Sequence, residues 1–356
     1  MTFPTDSLEE QERRAHLARV AAALPGALAR SAALSDLADC QPIALDVGGV
    51  AHDHLRLDGG LPPIVRVPRL SQWRQSPAEQ LAYEAAAFAR AAPSGVTPGL
   101  FGCLSPEELP PNGALVVEYI PGRKVRLPDD LSALADCLAA LHRVPVPPAP
   151  ERAPLRSQVR PAAETLAVVE EQAVFMAEIE LAAEARRQIE DEIAAVRKIA
   201  REAEDWPPVT SFVGTDTHPG NYLIRPDGRA VFVDLEKAMF GLPAIDLAHA
   251  TLYTSTMWEA DCAAALTRDQ VDGFYDRYLA VVDPAFADRL TPWRLPMRRL
   301  TWLRTLTWCI RWRALAARDP AWSPAAMPPA IRAHTEATVA DYLAPETIAR
   351  VRAEWA

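Results

Sequence analysis

SFVGTDTHPGNYLIRPDGRAVFVDLEKAMFGLPAIDLAH, residues Ser211 to His249, is the stretch whose reading decides the fold. Within it, Tyr222 to Ile224 and Val231 to Val233 are short, apolar and partly β-branched. Between them Pro226-Asp227-Gly228 joins a preset φ to a permissive glycine, so the segment reads as a β-hairpin. Pairing symmetric about the turn sets Leu223 opposite Phe232 and, one step beyond Tyr222 and Val233, Asn221 opposite Asp234. Directly opposed residues have Cβ atoms about 4.5–5.5 Å apart. An amide oxygen and a carboxylate then converge on one hard cation such as Mg²⁺, which takes oxygen ligands and completes its shell with water and phosphate.

Asp216 precedes Asn221 by five positions, the spacing that kinases use for the residue orienting an acceptor hydroxyl and the first metal ligand. Any one of these residues alone reads as a turn-capping polar group. Together, the spacing, the hairpin and the paired ligands read as a phosphoryl-transfer site.

These residues resemble the aminoglycoside phosphotransferase and choline kinase group, small-molecule kinases related in fold to protein kinases. The family pattern, His-Gly-Asp-x-His-x-x-Asn, a hairpin, Asp-x-Glu and Gly-x-Pro-x-x-Asp-Leu-Ala, appears here as Gly214 to Asn221, Asp234-Leu235-Glu236 and Gly241 to Ala248. It departs at Gly214 and Thr215, where the family usually has His and Gly. The resemblance implies an α+β, bilobal protein-kinase-like fold with ATP and Mg²⁺ as cofactors. Asp216 would then act on the acceptor hydroxyl, with Asn221 and Asp234 as metal ligands and Glu236 as an accessory one. Asp246 would brace the loop, and His218 would shape it.

The chain has 356 residues, 49% hydrophobic and 24% charged, enough for two lobes with a substantial core. Its five cysteines are scattered without a Cys-x-x-Cys pair, which fits a reducing cytoplasm rather than a disulfide framework or a zinc site. No apolar run approaches a membrane span, and the charged start SLEEQERR is not a signal peptide. A net charge of −10 argues against nucleic-acid binding and accommodates a cationic substrate.

Residues 7 to about 38 read as a helical extension, opened by a Ser7/Glu10 capping box and broken at Pro25-Gly26. Ile43 to Val47 and Ile64 to Val67 read as strands of a small antiparallel sheet. The resemblance makes Gly48 and Gly49, in Gly48-Gly49-Val50-Ala51-His52, part of a nucleotide-covering loop, although an ordinary tight turn fits as well. It sets Arg66 toward the nucleotide phosphates, Arg69 being a nearby competitor, with Glu84, in the helix-like run Pro77 to Ala91, as its ion-pair partner. Leu115 to Ile120 resembles the hinge between lobes, where backbone groups near Glu118 to Ile120 meet the adenine. These limits divide the chain into 1–40, an N-terminal extension, 41–120, a nucleotide-binding lobe, and 121–356, a catalytic and substrate-binding lobe.

Residues 131 to 143 form an amphipathic helix in which His142 reads as a C-terminal cap. Residues 143 to 161 read as a proline-rich connector, and 162 to about 205 as one or two acidic helices. Thr291 to Arg318 carries seven arginines and no acid. Its stripe Arg304, Trp308, Arg311, Leu315 and Arg318 reads either as an anion-binding wall or as charge compensation for the acidic helices. Trp293, Trp302, Trp308 and Trp312 read as core packing, with an aromatic cage for a quaternary ammonium as the alternative.

The combined expectation is an ATP- and Mg²⁺-dependent phosphotransferase acting on a hydroxyl of a small molecule: an amino alcohol, a sugar or an aminoglycoside-like compound. The competing reading is an inactive nucleotide-binding regulator of the same fold. Intact Asp216, Asn221 and Asp234 weigh against it. A protein-kinase role ranks lower, since the chain has no His-Arg-Asp or Asp-Phe-Gly. Oligomeric state is not legible in the sequence.

Overall fold

The computed structural model describes residues 8–45, 52–59, 62–69, 73, 75–207, 209–316, 318–319 and 329–355. Among the described residues the strands, in chain order, are β1 (Gln41–Leu45), β2 (His52–Asp58), β3 (Ile64–Pro68), β4 (Leu100–Leu104), β5 (Ala114–Val117), β6 (Arg123–Lys124), β7 (Ser211–Val213), β8 (Tyr222–Ile224), β9 (Ala230–Phe232) and β10 (Met239–Gly241). The helices are α1 (Leu8–Arg30), α2 (Pro77–Ala91), α3 (Leu131–His142), α4 (Pro161–Ala173), α5 (Ala183–Glu202), α6 (Ala244–Thr251), α7 (Tyr253–Thr256), α8 (Arg268–Val281), α9 (Pro284–Leu290), α10 (Arg294–Leu315), α11 (Pro329–Tyr342) and α12 (Pro345–Arg352).

The first five strands make one antiparallel sheet in the order β1-β2-β3-β5-β4. Because strand side chains alternate between faces, the sheet feeds two cores. Ala114 and Val116 of β5 join Leu55, Leu57, Val65 and Val67 under α1, while Leu115 and Val117 join Phe88 and Ala87 of α2 in the main core. On β2 and β3 the face opposite Leu55 and Val65 carries His52, His54 and Arg66, so these three side chains emerge together.

Contrary to the break expected at Pro25-Gly26, helix α1 runs on through both residues. A proline inside a helix removes one N–H and crowds the preceding turn. Here Leu17, Val20, Leu24, Ala27 and Leu28, at helical spacing, bury one stripe on the sheet, and that packing carries the helix through to Arg30. An Arg13–Asp53 ion pair of 2.9 Å joins the same helix to β2. The expected Ser7/Glu10 cap and the Gly48-Gly49 turn lie outside the described residues.

The rest of the chain is mostly helical, around α10, which packs on α4, α5 and α6. Two small sheets, β10-β7 and β6-β8-β9, carry the Ser211 to Gly241 stretch against this helical body. The acidic-helix expectation resolves as α4 and α5. Arg299 pairs with Glu192, Arg311 with Glu171, and Arg318 with Glu178, so much of the arginine stripe is charge compensation. Trp293, Trp302 and Trp312 are buried in the core, whereas Trp308 is half-buried and edge-on to Trp258, with ring centroids 5.6 Å apart. Among the described residues, no helix is long and apolar enough to cross a membrane.

Candidate active site

The hairpin forms, but its register differs by one residue from the symmetric expectation. Tyr222 pairs with Phe232, Leu223 with Val231 and Ile224 with Ala230. Gly228, at φ 84°, takes the left-handed conformation that closes a three-residue loop, and this odd loop length sets the shift. Asn221 therefore faces Val233, whose N–H donates to the Asn221 carbonyl at 3.0 Å, and Asp234 lies one residue past that pair. The two proposed ligands are adjacent across the hairpin base rather than directly opposed.

Asn221 spends its Nδ2 on the Asp216 carbonyl at 2.8 Å, which leaves the amide oxygen for a cation. Asp234 accepts from the Arg66 guanidinium at 3.0 Å through Oδ1, and Arg66 also donates to the Val233 carbonyl at 3.1 Å. Arg66 thus sits on the carboxylate that the sequence reading offers as a metal ligand. The expected Arg66–Glu84 ion pair is not made: the two oxygens of Glu84 lie 3.0 and 2.9 Å from His52 Nε2, and Gln80 donates to Oε1 at 3.0 Å. Imidazole replaces guanidinium there because His52 and Arg66 emerge on the same sheet face and Asp234 already engages Arg66. Burial would raise the Glu84 carboxyl, but His52, Arg66 and Gln80 together lower it below the usual carboxylate range.

Asp216 is met by the Lys237 ammonium at 2.5 Å on Oδ2, and by His249 Nε2 at 3.7 Å on Oδ1. Burial alone would raise this carboxyl. Lys237 above all, then His218 and His249, override it and hold it far below its usual value. The Lys237 ammonium is in turn raised: burial works against its charge, but Asp216 and Glu236 outweigh it. Burial pushes His249 down to about 3, against the pull of Asp216. Burial and the neighbouring Asp234 push Glu236 up to about 7, and its carboxylate lies 3.5 Å from His52 Nδ1.

Asp246, fully buried, fixes the loop from below. It accepts from the Gly214 N–H and the Thr215 N–H, each at 2.7 Å, and faces His142 Nε2 at 3.0 Å. The other nitrogen of His142 lies 2.7 Å from the Tyr278 hydroxyl, so this histidine is an internal link rather than a helix cap. A Cβ on Gly214 would lie 2.7 Å from the Phe232 ring, which explains why no larger residue stands there. Thr215 takes φ 60°, the conformation a glycine adopts freely.

At the expected hinge, the Glu118 N–H donates to the Gly99 carbonyl at 2.8 Å, and its carboxylate spans the Gly99 N–H and Arg225. That amide is committed, so of the expected adenine contacts at Glu118 only its carbonyl remains; Ile120 is buried beside it. Lys237, His249, His52 and Arg304 belong to the site but were not singled out for it in the sequence. For Lys237 a signal existed, its position directly after Asp234-Leu235-Glu236. For the other three it did not: His249 follows the Gly241 to Ala248 motif on α6, while His52 comes from β2 and Arg304 from α10.

A family model described as "Phosphotransferase enzyme family" matches residues 48–284. The chain belongs to this family. It is accordingly a phosphotransferase with a bilobal, kinase-like α+β fold. No curated protein matches it by sequence. Among solved structures it is similar to a choline/ethanolamine kinase family protein from Mesorhizobium loti, with 18% identity, a TM-score of 0.58 and coverage of 94% of this chain and 99% of that one. A putative aminoglycoside phosphotransferase from Ralstonia eutropha JMP134 gives 14% identity, a TM-score of 0.58 and coverage of 92% and 98%. An ethanolamine kinase from Plasmodium vivax gives 13% identity, a TM-score of 0.55 and coverage of 85% and 84%. At these identities the likeness is one of fold.

Proposed function

We propose that this phosphotransferase moves the γ-phosphoryl group of ATP to a hydroxyl of a small molecule, an amino alcohol, a sugar or an aminoglycoside-like compound, with Mg²⁺ as cofactor. The observation that carries the reading is the convergence of Asp216, Asn221 and Asp234 at the base of one hairpin. The donor set suits the metal: the Asn221 amide oxygen and the Asp234 carboxylate are the hard oxygen ligands that Mg²⁺ takes. When bound there, the ion neutralises charge developing on the transferred group.

Asp216 is the group for the acceptor. Held anionic by Lys237, it accepts a hydrogen bond from the hydroxyl and fixes the attacking lone pair. So acidic a carboxylate is a weak base, which is compatible with phosphoryl transfer, where positioning outweighs early proton removal. Lys237 keeps Asp216 charged, and Arg66 keeps Asp234 in place beside the phosphates. Glu84, with His52, anchors α2 to the sheet, while the Glu118 to Ile120 segment bounds the nucleotide; the covering role that the resemblance gives Gly48 and Gly49 falls outside the described residues. In this reading 1–40 is an extension on the sheet, 41–120 the nucleotide lobe and 121–356 the catalytic lobe. The unpaired cysteines fit a cytoplasmic setting.

Mg²⁺-dependent ADP formation across a panel of hydroxyl compounds tests the reading. Turnover with one acceptor class, lost in Asp216→Asn while ATP binding persists, is the expected result. Absence of turnover with every class, together with unaltered ATP binding in Asp216→Asn, favours the regulator.

A further inference from the structure

The residue before Asp216 is a β-branched threonine in the left-handed region, and among the described residues no other non-glycine has positive φ. Such a conformation is costly for threonine and persists only where its surroundings over-determine it. Here they do. The Thr215 N–H donates to Asp246 at 2.7 Å, and its carbonyl accepts from Arg304 of α10 at 3.0 Å. Its hydroxyl donates to the Lys237 carbonyl at 3.0 Å.

A glycine would make the first two bonds without strain, but not the third. That third bond closes a ring: Thr215 Oγ1 holds the Lys237 backbone, and the Lys237 ammonium holds Asp216 at 2.5 Å. Arg304 also departs from other arginines on and just after α10. Arg299, Arg311 and Arg318 meet carboxylates of the acidic helices and the turn after α4, whereas Arg304 turns its guanidinium to the catalytic loop.

We propose that Thr215 and Arg304 are positioning residues that aim the Asp216 carboxylate, in place of the His-Gly pair that stands before this aspartate in the family pattern. The hydroxyl locks the loop to the segment after Asp234, so the acceptor side and the metal side of the site move as one. Arg304 fixes the peptide that leads into Asp216. The inference rests on the reading of Asp216 as the residue that orients the acceptor.

The test uses the full chain and whichever acceptor supports Mg²⁺-dependent ADP formation. Thr215→Gly removes both the strain and the hydroxyl. It is expected to melt at or above the wild-type temperature and to bind ATP as the wild type does, while kcat falls about tenfold or more, as a small misplacement of a reacting group demands. Thr215→Ser retains the hydroxyl and restores most of that loss. Arg304→Met lowers kcat with ATP affinity unchanged, and Arg304→Lys recovers part of it. A merely structural role lowers melting temperature and kcat together, with serine no better than glycine, and that result overturns the proposal. So does a Thr215→Gly variant with kcat within about twofold of wild type. If the wild type itself has no turnover, the functional reading has failed, and crystal structures then decide the positioning claim alone. Asp216 leaving Lys237 in Thr215→Gly supports it, and Asp216 unmoved refutes it.

Discussion

Replacing Asp246 by alanine tests the architecture under the catalytic loop. Its carboxylate is fully buried and receives the Gly214 and Thr215 amides at 2.7 Å each, with His142 at 3.0 Å. Alanine leaves two buried N–H groups without an acceptor, each costing about 1–3 kcal/mol. It also strips His142 of its carboxylate, and removing one partner of a buried pair costs about 3–5 kcal/mol in all. For 356 residues, a loss of about 4 kcal/mol lowers Tm by about 5 °C. Differential scanning calorimetry reads this loss directly, and turnover measured well below Tm reads the loop. Because Thr215 is held in the left-handed region partly by this carboxylate, activity falls in the folded variant too. Asp246→Asn, which keeps one acceptor, lies between. A Tm within about 1 °C of wild type, the range of an ordinary surface substitution, refutes the brace.

Other perturbations give distinct signatures. His249 titrates near 3 in the folded protein against about 6.5 unfolded, so the unfolded chain binds the extra proton between those values. Its contribution to stability is therefore full above pH 6.5 and declines as pH falls toward 3; between pH 6.5 and 5 the loss is about 2 kcal/mol, and urea titrations show His249→Gln flattening this slope. A slope unchanged in the variant assigns the dependence elsewhere. Arg66→Met leaves Asp234 without its 3.0 Å partner, and the expected outcome is a KM for ATP raised about tenfold at fixed Mg²⁺, with Arg66→Lys between. An unaltered KM removes Arg66 from the phosphate site. Gly113→Ala is expected to destabilise by about 3 kcal/mol or more in denaturant titration, since φ 71° and a Cβ 2.4 Å from the Leu104 carbonyl both oppose it.

The legible part of this chain was the part written locally. The hairpin, helix α2 from Pro77 to Ala91 and the order of Asp216, Asn221 and Asp234 follow from turn chemistry, periodicity and spacing, which act over a few residues. The register shift was not legible, because Gly228 serves three-residue and four-residue loops equally and only the closed pair decides. Helix α1 passing through Pro25 depends on what the sheet offers beneath it. The partner of Glu84 is not legible locally because β2, with His52-Asp53-His54, reads as polar until its alternation with Leu55 and Leu57 is set against the sheet. Arg304 sits 88 residues after Asp216 and reaches its loop only through the docking of α10.

The most direct measurement of the central claim is single-turnover phosphoryl transfer from radiolabelled ATP to an acceptor hydroxyl, in wild type and Asp216→Asn, with and without Mg²⁺. The account predicts labelled acceptor in the wild type only when Mg²⁺ is present, a loss of at least about 10²-fold in Asp216→Asn, and ATP affinity equal in both. Transfer that survives in Asp216→Asn, or proceeds equally without a divalent cation, contradicts it.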